Sequence, residues 1–132
     1  MKSIKVTYGT PLEDIIGFSR AVRAGDYIAV SGTAPIDKDG KTCGIGDPAL
    51  QARQCFEIIK KALRDTGSDM KDVIRTRILL KNISDWHKVA LVHAEYFKYI
   101  KHATTVIGVS SFVNSEWFVE IEIDAIITCN NK

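Results

Sequence analysis

The sequence predicts an α+β domain, and three observations carry that prediction. Alternating apolar and polar runs, the mark of half-buried strands, recur near both ends and in the middle of the chain. Two longer segments instead repeat their apolar residues at helical spacing. The resulting order is two strands, helix, strand, helix, two strands, which fits helices laid on a sheet in one domain spanning residues 1–132.

Residues 4–8 (IKVTY) alternate and break at Gly9 and Pro11. Residues 18–23 (FSRAVR) alternate again, Ala24-Gly25-Asp26 turns the chain, and 27–33 (YIAVSGT) form an apolar strand ending in small residues, so the two runs read as a hairpin. Asp39-Gly40 signals a further turn. Residues 48–65 read as a helix: Asp47 caps it, Pro48 suits its first position, and Gly67 closes it. Its apolar stripe comprises Leu50, Phe56, Ile59 and Leu63, widened by Cys55 and Ala62. Residues 72–81 are a strand with Ile74, Thr76, Ile78 and Leu80 on one face and Arg75, Arg77 and Leu79 on the other. A second helix runs from Ser84 or Asp85 to Tyr99, with Trp86, Val89, Ala90, His93, Phe97 and Ile100 along its buried stripe. Two strands, 104–112 and 117–128, follow, joined by a turn around Asn114-Ser115. With both helices on one face, the other would hold Arg75, Arg77 and the last strand's acids; an uncovered face of that kind commonly packs against another copy.

Composition sets bounds on function. Hydrophobic residues make up 45% and charged residues 26% of the chain, ordinary values for a water-soluble domain. A net charge of +2 with scattered Lys and Arg argues against nucleic acid as a partner, since such binders carry a basic stripe. No apolar run approaches a membrane span and the N-terminus lacks a leader's apolar region, so no membrane association is expected. Cys43, Cys55 and Cys129 form no CxxC pair and are expected to be reduced in a cytoplasmic protein.

The last strand carries the main chemical question. Glu120, Glu122 and Asp124 occupy alternate positions and therefore share one face. They either pair with Arg20, Arg75 and Arg77 as a structural ladder, or one of them performs acid–base chemistry. His93, on the apolar stripe, reads first as a packed, hydrogen-bonded residue and only second as a proton shuttle. His87 and His102 show no metal-ligand spacing, and the cysteines have no activating context, so neither a metal nor a thiolate nucleophile is expected. GIGDPA at 44–49 lacks the strand and third glycine of a dinucleotide fingerprint, and no cofactor is expected.

Five ordered segments, FSRAVRAGDYIAVSGTAPID, QARQCFEIIKKAL, DVIRTRILLKNISDW, HATTVIGVS and WFVEIEIDAI, resemble the Rid family, also called the YjgF or L-PSP endoribonuclease-like family. The resemblance runs from about Gly17 to Ile126. It implies a chorismate-mutase-like α+β fold, a mixed sheet with two helices on one face, and a homotrimer with a central β-barrel and clefts between subunits. The activity it implies is hydrolysis of reactive enamines and imines such as 2-aminoacrylate, giving a 2-keto acid and ammonia.

In that family an Arg within a P-A-R segment grips the substrate carboxylate. The matching segment here is His102-Ala103-Thr104-Thr105, with Thr104 at the Arg position, and the Tyr of the family's Y-S-Q-A segment is Phe18. The resemblance makes Glu120 the water-orienting acid, or Glu122 if the match slides, with Ser31, Gly32 and Thr104 at the cleft floor. Thr105 and the main chain near Val106 complete it, and Phe18 and Trp117 form its walls. Arg77 is a candidate replacement anchor, set against a salt bridge to the acids. Two other readings stand beside this one: a non-catalytic trimer that binds keto acids or amino acids, and an endoribonuclease, which the charge distribution disfavours.

Overall fold

The strand signals resolve into one six-stranded sheet in the computed structural model, which describes residues 3–128. The strands are β1 (Ser3–Val6), β2 (Ala21–Ala24), β3 (Tyr27–Thr33), β4 (Val73–Leu80), β5 (Ala103–Gly108) and β6 (Val119–Ile126). The helices are α1 (Pro11–Ile16), α2 (Pro48–Asp65) and α3 (Trp86–Phe97). Cys129 lies outside the described residues.

The expected hairpin is present, with β2 antiparallel to β3, and β1 extends it at the edge. The order across the sheet is β1-β2-β3-β6-β4-β5. The last two strands, although joined by a turn, are not neighbours: β6 inserts between β3 and β4, and β5 lies outside β4, parallel to it. A parallel pair needs a long crossover, and α3 supplies it between β4 and β5.

Alternation along β6 decides which face is core. Val119, Ile121, Ile123 and Ala125 are buried beneath the helices, together with Ile28 and Val30 of β3 and Ile78 and Leu80 of β4. From above, α2 inserts Ala52, Cys55, Phe56, Ile59, Ala62 and Leu63, and α3 adds Val89, Val92 and Phe97. Each fully buried large apolar side chain contributes about 1.5–3 kcal/mol, several times an exposed ion pair, so this layer holds the fold together.

Several local expectations are corrected. Leu50 is 49% exposed: the Asp47 side chain accepts from its amide at 3.1 Å, and Gln51 and Ala52 take the inward positions instead. Trp86 is 51% exposed at the very start of α3, and Val92 takes a core position that the predicted stripe omitted. A register shift between Val73 and Arg75 turns Ile74 outward and Val73 inward. The break expected at Gly9 and Pro11 contains a helix: Pro11 starts α1, and Gly17 ends it in the left-handed region at φ 88°.

Candidate functional site

The cleft is built around a defect in β3. Its pairing with β6 shifts register between Val30 and Thr33, so Ser31 and Gly32 bulge out of the ladder. The buried Arg20, just before β2, pins this bulge by donating through Nη1 to the Gly32 carbonyl at 2.8 Å and to Thr33 Oγ1 at 2.9 Å. The Ser31 hydroxyl donates to the Ser19 carbonyl at 2.7 Å, tying the strand to the segment that carries Phe18. Phe18 lies beneath the guanidinium, 5.2 Å from ring centroid to Arg20 Cζ.

Against the bulge stands Glu120. A Cβ added at Gly32 would lie 2.9 Å from Glu120 Oε1, so glycine is what lets the carboxylate approach the main chain here. Burial raises the pKa of Glu120, the nearby positive charge of Arg20 opposes that shift, and Glu122 adds to it. Burial depresses the Arg20 pKa, while Glu13 and then Glu120 pull it back. Among the described residues the two groups form no direct ion pair, so each feels the other's charge while keeping free hydrogen-bonding capacity.

The cleft has a volume of about 720 Å³, room for a small metabolite and ordered water. Phe18, Arg20, Ser31, Gly32, Trp117 and Glu120 line one part of it, and Tyr8 just before α1, Glu13 and Ile16 of α1, and Ile58 and Lys61 of α2 line another. Glu13 is buried and accepts from the Tyr8 amide at 2.9 Å and Thr10 Oγ1 at 2.7 Å, which fixes the start of α1 along the cleft. Gln51 holds the opposite wall. It donates to the Glu116 carbonyl at 3.0 Å and accepts from the Phe118 amide at 2.7 Å, clamping both neighbours of Trp117 to α2. A glutamine at a position of the apolar stripe was the available signal for this clamp, and Glu13, Tyr8 and Gln51 all escaped the sequence reading.

The other two acids do different work. Arg77 Nη1 lies 3.1 Å from Glu122 Oε1 and 3.4 Å from Asp124 Oδ2, Arg75 Nε lies 3.8 Å from Asp124, and the Tyr27 hydroxyl donates to Asp124 at 2.7 Å. Opposite Glu120 in β4 is Leu79, which offers no charge. The ladder reading therefore holds for Glu122 and Asp124, and Arg77 belongs to that ladder and is absent from the cleft lining. Glu120 is the acid of the three that faces the cleft.

Thr104, Thr105 and Val106 sit on β5, at the sheet edge and two strands from Glu120, so a single chain does not bring them to the cleft. Thr104 instead joins a polar cluster with Thr76 Oγ1, His93 Nε2 and His102 Nε2, all linked at 3.0–3.2 Å. Burial, and then the His102 charge, push His93 down to about 4, and Phe97 packs against both imidazoles. His93 is thus a packed residue with hydrogen-bonded partners and lies apart from the cleft. Among the described residues, no group of three or more His, Cys, Asp or Glu side chains could hold a metal ion. None of their helices is long and apolar enough to cross a membrane.

Comparison with known proteins identifies the family. The family model described as Endoribonuclease L-PSP matches residues 10–127. A RutC family protein of Pyrococcus horikoshii is 36% identical over 96% of this chain and 97% of its own length. The 3-aminoacrylate deaminase RutC of Acinetobacter baylyi is 34% identical over 73% of this chain and 75% of its own. The crystal structure of a YjgF-family member from Mycobacterium tuberculosis superposes with a TM-score of 0.88 at 36% identity, covering 96% of this chain and all of that one.

Proposed function

Given that the chain belongs to the Endoribonuclease L-PSP family, also known as the Rid or YjgF family, we propose that its cleft hydrolyses small enamines and imines of the 2-aminoacrylate type to 2-keto acids and ammonia. The observation that carries this reading is Glu120: one carboxylate of a three-acid strand stands apart from the arginine ladder, partly desolvated, against the Gly32 main chain. A relative that bears the name 3-aminoacrylate deaminase supports the chemical class.

In the proposed reaction the enamine tautomerises to its imine, and Glu120 holds a water against the imine carbon. As the C–O bond forms, Glu120 takes one proton of the water and passes it to the imine nitrogen, giving the neutral carbinolamine. As the C–N bond then breaks, Glu120 takes the hydroxyl proton and delivers it to the departing nitrogen, leaving the keto acid and ammonia. A carboxyl pKa raised toward neutrality serves both transfers, because a stronger base takes the proton and the acid formed still gives it back. The Ser31–Gly32 bulge and the walls of Phe18 and Trp117 hold the substrate's reacting carbon near the water, which contributes by orientation.

The proposal includes assembly. Three copies would pack sheet to sheet, and the β5 edge of a neighbour, with Thr104, Thr105 and the main chain at Val106, would close the open side of each cleft. A cytoplasmic setting fits this reading, because the reactive substrates arise from amino acids through pyridoxal-phosphate enzymes. The test is to generate 2-aminoacrylate in the presence of the purified protein. Ammonia release faster than spontaneous hydrolysis, from a species with the mass of three copies, is expected; release at the spontaneous rate would leave only a binding role.

A further inference from the structure

Arg20 has more donors than the fold uses. Its Nη1 supplies the hydrogen bonds to Gly32 and Thr33, while Nε and Nη2 have no partner among the described residues. Neither nitrogen is sealed off as a buried orphan, although the residue as a whole is only 8% exposed, and Arg20 lines the cleft. The ring of Phe18 under the guanidinium and the Nη1 contacts hold the plane in one orientation. The result is a rigid, charged fork with one edge free, matched in shape to the two oxygens of a carboxylate.

Most other candidate anion anchors are spent. Arg77 is bound to Glu122 and Asp124, and Thr104 offers a neutral hydroxyl that is already shared with Thr76 and His102. Lys61, at the cleft, pairs with Asp65 at 2.8 Å and lies 4.4 Å from the Tyr8 ring centroid. Lys38 also lines the cleft, but it is an exposed, flexible point charge that no hydrogen bond or ion pair among the described residues holds in place. Arg20 is therefore the cleft cation whose free donors are preorganised.

We infer that Arg20 binds the carboxylate of the substrate through Nε and Nη2, so that the site selects 2-imino and 2-keto acids over their uncharged analogues. This rests on the reading of the cleft as an enamine/imine hydrolase site. It assigns to a residue on the segment before β2 the anion recognition that the sequence withholds at Thr104. The same guanidinium holds the Gly32 bulge against which Glu120 rests, so one side chain sets both where the carboxylate binds and where the water-orienting acid stands.

The experiment compares pyruvate with pyruvamide, which differ in charge and little in shape, by titration against wild-type protein, Arg20→Gln and Arg20→Lys. Wild type is expected to prefer pyruvate by about ten- to a hundredfold, as a charged two-point hydrogen bond provides. Arg20→Gln is expected to abolish that preference, read as the ratio of the two affinities so that a general loosening of the bulge cancels. Arg20→Lys gives an independent reading: it keeps the charge without the fork, and is expected to cut the ratio about tenfold. A purely structural role would weaken both ligands equally and leave the ratio at its wild-type value. Wild type that releases ammonia from 2-aminoacrylate but does not discriminate the two ligands, or variants that keep the wild-type preference, would overturn the assignment of Arg20 alone. Absence of ammonia release would overturn the hydrolase reading beneath it.

Discussion

At the scale of single residues, the separation of Glu120 from Glu122 and Asp124 carries the most consequence. Alternation in the sequence placed the three acids on one face, but parity cannot say which of them meets an arginine. That depends on what lies opposite in β4, where Arg77 faces Glu122 and Leu79 faces Glu120, a register that no local pattern encodes. Gly32 could be noticed in the sequence as a small residue ending a strand, yet its close approach to Glu120 comes only from the register shift of β3. A Gly32→Ala substitution tests that contact. The added methyl would meet the movable end of a side chain and no backbone, so the fold should tolerate it. The carboxylate would be displaced, and a misplacement of about an ångström costs on the order of a hundredfold in rate. The expected result is a near-native melting temperature with hydrolysis reduced about ten- to a hundredfold.

Among elements, the long, strongly periodic ones were legible and the short or non-local ones were not. The cap at Asp47, the Pro48 start and the apolar stripe identify α2, and the β2–β3 hairpin follows from its turn. The six residues of α1 are too few to show a helical period, and its Pro and flanking Gly read as a break, although the helix forms one side of the cleft. The pairing of β5 with β4 was hidden because sequence neighbours are usually sheet neighbours, and here α3 carries the chain across to the far edge. That crossover is stitched to the sheet by His93 and His102 around Thr76, which yields a pH prediction. His93 has its folded pKa lowered to about 4 from an ordinary value near 6.5, so the unfolded chain takes up the proton first. Its contribution is fully present above pH ~6.5 and is lost as the pH falls toward ~4. Urea titrations of wild type and His93→Gln at pH 7 and pH 4.5 should differ: the wild type loses on the order of 1–2 kcal/mol more than the variant over that interval, allowing for partial exposure. Equal losses would show that His93 does not titrate this way.

For the whole molecule, the question is how the cleft and the far edge of the sheet relate. The expected site residues fall into two groups, Phe18, Ser31, Gly32, Trp117 and Glu120 around the cleft and Thr104, Thr105 and Val106 on the β5 edge. Under the proposed assembly of three copies both groups would serve one substrate, and the exposed apolar surface of Val106 and Ile107 on that edge would be covered. The fold and the family were readable from the order of five segments. What the sequence left undetermined was the division of labour among charges that look alike in a line of text. The decisive measurement is therefore a side-by-side assay of ammonia release from 2-aminoacrylate by wild type, Glu120→Gln and Glu122→Gln. A loss of about 10²–10⁴-fold is expected in Glu120→Gln, with near wild-type rates in Glu122→Gln. Retention of activity by Glu120→Gln, or its loss only in Glu122→Gln, would contradict the role given to Glu120.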